Sequence, residues 1–279
     1  VSRAWKNRLF QGAMLTSLLI AFGVLALLLA DTIITAWPEL TSRLLTEPPS
    51  SLPEEAGAGP AIRATLYLAL IVLVLSVPIG VLSALYLEEY ANRQRWYNRF
   101  IEVNIQNLAA VPSIVYGILG LAFIVRGLDL GRVVLAGGLI LTLVVLPTVI
   151  VASREAIRAV PDSIRQGGFA LGATKWQVTY KQVLPASIPG IATGSILALS
   201  RAVGETAPLI MVGAVTYVAF NPTLLGAYTA LPVQIYNWTK QPDPQFQVLA
   251  AAAAVVLLVI VLGMNAVAIF LRNRYRQNW

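Results

Sequence analysis

The chain contains no cysteine and no histidine. Disulfide scaffolds, thiolate or imidazole metal sites, and Ser-His-Asp or Cys-His catalysis are therefore excluded within it. Charge is also scarce: Asp, Glu, Lys and Arg make up 12% of its 279 residues, against 57% hydrophobic. With a mean hydropathy of +0.73, this composition excludes an ordinary soluble domain. The net charge of +7 and isoelectric point of about 9.9 would suit a nucleic-acid binder. The basic residues, however, sit in short loops between apolar runs, so basicity here reads as membrane topology.

Measured against the ~20 residues that cross a bilayer, uncharged runs predict five spans: Leu9–Ala30, Ala64–Leu87, Val103–Val125, Val133–Ser153 and Gln245–Leu271. A sixth, from Pro189 to Tyr217, is interrupted only by Arg201 and Glu205. The first run follows Arg3, Lys6 and Arg8 but exceeds a signal-peptide core in length, so it reads as a retained anchor. Six spans put both termini on one side. That side carries fourteen of the twenty basic residues, Arg93 and Arg276 among them, and the opposite side carries five. The positive-inside rule then predicts cytoplasmic termini.

The loop from Trp37 to Pro60, with five prolines and four glutamates, reads as an irregular external connection separating the first helix from a five-helix core. Prolines 78, 112, 147 and 208 fall in or near spans, where each tends to kink a helix. The external loop from Phe220 to Phe246 holds Tyr228, Tyr236 and Trp238. Aromatics at that level mark the membrane–water interface or a docking surface.

About 35 residues separate the fourth span from the next, long enough for a functional loop. Ser163 with Gln166 fits a capping box. Phe169, Ala173, Trp176, Tyr180 and Val183 recur at helical spacing and predict one apolar face. Such a helix either rests on headgroups or enters a groove on a partner.

Beyond it, Gly190, Gly194, Ala198 and Ala202 recur every four residues, a small-residue ridge for close helix contact. Arg201 and Glu205 are also four apart and suited to pair. Each charge alone would cost ~2.5–3.5 kcal/mol at a helix centre in the membrane. Either the pair fixes helix packing or it lines a pathway for a charged solute. The planar fork of arginine can hold an oxyanion by two hydrogen bonds. Thr206, Ser113 and Tyr116 could add hydroxyls.

The run Ala170-Leu171-Gly172-Ala173-Thr174-Lys175-Trp176, followed by Leu184-Pro185, resembles the cytoplasmic signature loop of binding-protein-dependent ABC importer permeases. In that loop Glu-Ala-Ala precedes a glycine by three residues, and Leu-Pro follows. Gly172, Leu184 and Pro185 are in register, while Gln166-Gly167-Gly168 stands for Glu-Ala-Ala and Gln182 for an isoleucine. The string from Arg201 to Pro208 and the Val-Pro-Ser-Ile-Val-Tyr-Gly core from Val111 to Gly117 are similar to the A-type (PstA) permease of phosphate-specific ABC importers. The resemblance covers residues 61 to 272.

It implies an all-α polytopic membrane protein: six transmembrane helices, a type I ABC importer permease core and a cytoplasmic coupling helix. Residues 1–60 would be the N-terminus, first helix and external loop, 61–272 the permease domain, and 273–279 a cytoplasmic tail. The implied function is ATP-driven phosphate import across a bacterial inner membrane by alternating access. Arg201 and Glu205 would contact the solute, and Phe169, Ala170, Leu171, Gly172, Ala173, Thr174, Lys175, Trp176 and Tyr180 would couple to the ATPase. The implied partners are a PstC-type sister permease, two PstB-type ATPase subunits and a PstS-type external phosphate-binding protein, within membrane lipid and without nucleic acid. No cofactor is expected in this chain. Gly167 and Gly172 have P-loop spacing, but Ala173 stands where the phosphate-binding lysine belongs. ATP and Mg would therefore bind the partner. The alternatives from the residues alone are an ion-gradient-driven secondary transporter, a non-transporting scaffold and a permease for another tetrahedral oxyanion.

Overall fold

A computed structural model describes residues 3–92, 94–214 and 218–274. Arg93, the Tyr217 end of the sixth expected span, and Arg276 with the rest of the tail past residue 274 lie outside the described residues. The described residues are helical: α1 (Arg3–Ala36), α2 (Ser42–Thr46), α3 (Gly59–Leu85), α4 (Trp96–Ala109), α5 (Ser113–Gly120), α6 (Val134–Arg158), α7 (Asp162–Ala170), α8 (Lys175–Val178), α9 (Leu184–Gly204), α10 (Ala207–Val212), α11 (Leu231–Thr239) and α12 (Pro244–Arg274). Five of the helical stretches are long and apolar enough to cross a membrane, those of α1, α3, α6, α9 with its preceding turns, and α12. The chain is a multi-pass membrane protein.

Two of the expected spans differ. The run Val103–Val125 is not one straight helix: α4 and α5 meet at an angle of 104°. The run from Pro189 stops being helical after Gly204, and Glu205 is extended (φ −71°, ψ 123°). One cause serves both. In a continuous helix the ring of Pro112 would strike the carbonyl of Leu108, and that of Pro208 the carbonyl of Gly204. The chain gives way at each place. Leu108's carbonyl accepts the Val111 N–H at 3.2 Å and the Tyr116 hydroxyl at 2.9 Å, which pins the bend. Pro78 and Pro147 meet the same conflict yet stay inside α3 and α6, where dense packing on neighbouring helices compensates.

The core is the stack of α3, α6 and α9. The most apolar 18-residue stretch of α6 is 67% buried, while that of α1 or α12 is 0% buried. Val72 of α3, Val145 and Val149 of α6, and Ala198 and Ala202 of α9 share one buried cluster. The small-residue ridge does what its spacing suggests. A Cβ on Gly190 would meet that of Ala156 at 2.6 Å, and one on Gly194 would fall well inside contact with the Ala152 Cβ. Membrane helices associate through such close packing because lipid offers no hydrophobic drive between them. Gly194→Leu is accordingly expected to prevent stable accumulation, since overpacking costs ~1–3 kcal/mol or more. Gly12→Leu on α1, with open space around it, is expected to behave as wild type. Protein yield and detergent half-life measure both.

The loops from Trp37 to Pro60 and from Phe220 to Phe246 are more ordered than composition suggests. Leu44, Ala56 and Ala58 are buried with Trp238, Phe246 and Leu249 of α11 and α12, so the proline-rich segment folds onto the bundle. Tyr228 and Trp238 belong to the core, not to an interfacial belt, being 0% and 3% exposed. Tyr228 fills the space left open by Gly137. The same loop caps α6: Gly226 and Leu224 carbonyls accept the N–H groups of Val134 and Leu135, two donors with no partner inside the helix.

Candidate functional site

Arg201 occupies the last turn of α9, and its Nε donates to Glu205 Oε1 at 3.2 Å. The pairing follows from the four-residue spacing, but Glu205 is the first residue past the helix rather than part of it. The Arg201 side chain is 49% exposed and that of Glu205 16%. Among the described residues, Glu205 is the only hydrogen-bond partner of the Arg201 guanidinium. Its two terminal amino groups are thus free for an acceptor. Placing a cation at the helix C-terminus also suits the partial negative charge there.

Beyond the break, Thr206 precedes α10, and its hydroxyl contacts the Gly204 carbonyl at 3.4 Å. Gly117 of α5 lies against Pro208 and Met211 of α10; a Cβ at Gly117 would come within 2.7 Å of the Pro208 Cα. The two motifs, distant in sequence, are therefore neighbours in space. Thr206, Ile114, Met211, Tyr236 and Thr239 line an open cleft of about 550 Å³. Ser113 begins the same turn of α5 as Ile114. Tyr116, by contrast, commits its hydroxyl proton to Leu108, a structural use of that group.

The loop after α6 is built differently from its sequence pattern. Ser163 and Gln166 form no capping box: α7 starts after Pro161 with no side-chain cap. The capping box belongs to Thr174 and Gln177, whose side chains and backbone amides bond reciprocally at 3.3 and 2.8 Å. Gly172, at φ +78°, turns the chain between α7 and α8, a conformation side chains resist. Phe169 and Trp176 therefore sit on separate helices, and the continuous stripe is broken. Val178 and Val183 go inward, 2% and 0% exposed. Leu171, Trp176, Tyr180 and Phe169 remain exposed, Leu171 at 86%, with Trp176 stacked on Tyr180.

Sequence reading missed a cluster of ion pairs joining this loop to three helices. Arg154 of α6 bonds Glu102 of α4 at 2.7 Å and Glu88 at 3.5 Å. Arg158 reaches Glu88 at 3.1 Å, and Arg165 of α7 reaches Glu89 at 2.8 Å. Glu88 and Glu89 lie in the turn Tyr86–Tyr90 that ends α3. Their side chains are 5% and 10% exposed. The available signal was carboxylates ending one apolar run and arginines ending another.

Among the described residues, no group of acidic side chains could hold a metal ion. The chemistry on offer is non-covalent: a half-open guanidinium at a helix break, a cleft reached from that break by Thr206, and an exposed aromatic knob on a braced loop.

Comparison with known proteins agrees with this architecture. The family model described as "Binding-protein-dependent transport system inner membrane component" matches residues 76–277. The chain is 32% identical over 223 residues to "Phosphate transport system permease protein PstA 1" of Mycobacterium tuberculosis (strain CDC 1551 / Oshkosh), covering 79% of this chain and 73% of that one. It is 31% identical over 284 residues to "Phosphate transport system permease protein PstA" of Yersinia pestis, covering 98% and 94%. Among solved structures, a chain of the bacterial alginate ABC transporter in complex with an alginate pentasaccharide-bound periplasmic protein superposes with a TM-score of 0.66 at 18% identity, covering 96% of each. A chain of the inward-facing MetNI methionine ABC transporter superposes at 0.60 with 20% identity, covering 77% of this chain and 92% of that one.

Proposed function

Because this chain belongs to the family of binding-protein-dependent transport system inner membrane components, we propose that it carries inorganic phosphate across the membrane, as the names of its PstA relatives suggest. The single observation that carries the solute reading is the half-open Arg201 guanidinium at the helix break. Two parallel N–H groups match two oxygens of a phosphate. Glu205 holds the fork in place and, by its own charge, keeps the bound anion from staying. Thr206, which lines the cleft, and Ser113, next to its lining residue Ile114, supply hydroxyls.

The input arrives on the other side. The exposed Phe169, Leu171, Trp176 and Tyr180 form an aromatic knob of the kind that anchors interfaces, and an ATPase subunit is its proposed receptor. The segment from Ala170 through Gly172, Ala173, Thr174 and Lys175 to Tyr180 is then the coupling helix region. Thr174's capping box and the ion pairs of Arg165 stiffen it. ATP and Mg belong to that partner. Closure of the ATPase pair would rock the α3–α6–α9 stack against a sister permease, biasing inward and outward states by differential binding. An external binding protein would deliver the solute. In this reading residues 1–60 add a peripheral helix, 61–272 are the permease domain and 273–279 a tail, with both termini cytoplasmic by the positive-inside rule.

The test is reconstitution of the complex in vesicles with labelled phosphate. Uptake is expected to require ATP and to resist competition by sulfate and molybdate. In the same assay Trp176→Ala is expected to weaken ATPase retention roughly 30-fold, as for an interface hot spot of ~2 kcal/mol. Uptake that followed an ion gradient without ATP would refute the reading.

A further inference from the structure

A second cavity lies within the membrane-crossing part of the bundle, away from Arg201. It is a groove of about 520 Å³ between α3, α9 and α12, lined by Leu73, Val77, Ile188, Ala192, Ser195 and Leu199, with Arg272 also in its wall. Its α9 wall runs from Pro185 to Leu199, about 21 Å of helix at 1.5 Å per residue. One bilayer leaflet contributes ~15 Å of hydrocarbon.

Two polar groups in this apolar lining are unexplained by the protein itself. Ser195 is 9% exposed, and its hydroxyl has no hydrogen-bond partner among the described residues. Arg272 is held only by neutral groups: it donates to Thr193 Oγ1 at 2.9 Å and to Asn273 Oδ1 at 3.1 and 3.2 Å. Among the described residues no carboxylate pairs with it. Its full positive charge stands beside Thr193, about midway along the α9 wall and near the end of α12.

We propose that this groove binds one anionic phospholipid, with an acyl chain lying along α9 and the phosphate on Arg272. Basic pockets between membrane helices on the basic side suit anionic headgroups, and a guanidinium matches a phosphate by geometry as well as charge. The charge of Arg272, which no carboxylate among the described residues pairs with, favours an anionic headgroup over the apolar flank of a partner's helix. The binding is independent of which solute the chain transports.

The experiment uses the assembled complex in nanodiscs holding equal phosphatidylglycerol and phosphatidylcholine with identical acyl chains, then native mass spectrometry of the lipids retained. Phosphatidylglycerol is expected in roughly tenfold excess, as for a charge-assisted contact. Arg272→Gln should bring the two lipids to parity, and Ala192→Trp, which fills the groove, should remove the tightly held lipid of both kinds. Because the chain has no cysteine, Ala192→Cys accepts a single fluorophore that brominated phosphatidylglycerol should quench more than brominated phosphatidylcholine. Equal retention of both lipids by the wild type, or equal quenching at position 192, would overturn the site. So would a cross-link from the thiol introduced by Ala192→Cys to a helix of another subunit.

Discussion

Arg201→Gln is expected to abolish phosphate uptake while the complex still assembles and hydrolyses ATP. The two consequences separate because the side chain is 49% exposed and its only ion pair among the described residues is with Glu205. Exposed pairs contribute ~0–1 kcal/mol to folding, so the variant should be as stable as the wild type. A hydrogen bond to a charged group, by contrast, is worth ~1.5–3 kcal/mol. Losing both arms of a guanidinium fork along a transfer route therefore costs at least ~100-fold in rate. Arg201→Lys, which keeps the charge but not the fork, should retain a small residual uptake. Labelled phosphate uptake and ATPase activity, measured on the same vesicles, check all three forms. Wild-type uptake by the Gln variant would remove Arg201 from the pathway.

The helix packing around Arg201 and its pairing are legible in the sequence. The four-residue spacing of Gly190, Gly194, Ala198 and Ala202 named the face that packs on α6, because a helix leaves little choice about which side such residues occupy. The same periodicity paired Arg201 with Glu205. Spacing failed where backbone conformation changes. Pro78, Pro112, Pro147 and Pro208 look alike in sequence, yet only Pro112 and Pro208 break their helices. The difference lies in neighbours: Gly80 and Gly138 let α3 and α6 lock together around the two tolerated prolines, and that contact crosses tens of residues. Gly172 broke the aromatic stripe for a related reason. Its positive φ outweighs a helical repeat that Phe169 and Trp176 would otherwise continue. Local rules describe a helix until tertiary contact or a left-handed residue overrides them.

The ion-pair cluster was out of reach of any local rule, since its partners are 52 to 76 residues apart, and it carries the other large expected effect. Arg165 is its hub on the loop. It bonds Glu89 through Nε and NH2 at 3.1 and 2.8 Å. It also donates to the carbonyls of Val160 and Ile157 at 2.6 and 3.0 Å, near the end of α6. Those carbonyls have few helical donors left to accept from. Arg165→Met would strand Glu89 at 10% exposure together with the Val160 carbonyl. Breaking one side of a buried pair costs ~3–5 kcal/mol, so the variant is expected to disappear from the membrane fraction. Removing both partners is a different matter, because apolar side chains of similar volume often replace a buried pair at no cost. Arg165→Met with Glu89→Met should therefore accumulate far better than Arg165→Met alone, and immunoblot of membranes measures the difference. What the double variant then does separates stability from transmission. If it assembles and hydrolyses ATP but no longer moves solute, the fork from α7 to the end of α3 transmits force, and the charges are kept for that rigidity rather than for folding. Full transport by the double variant would make the cluster a packing device alone.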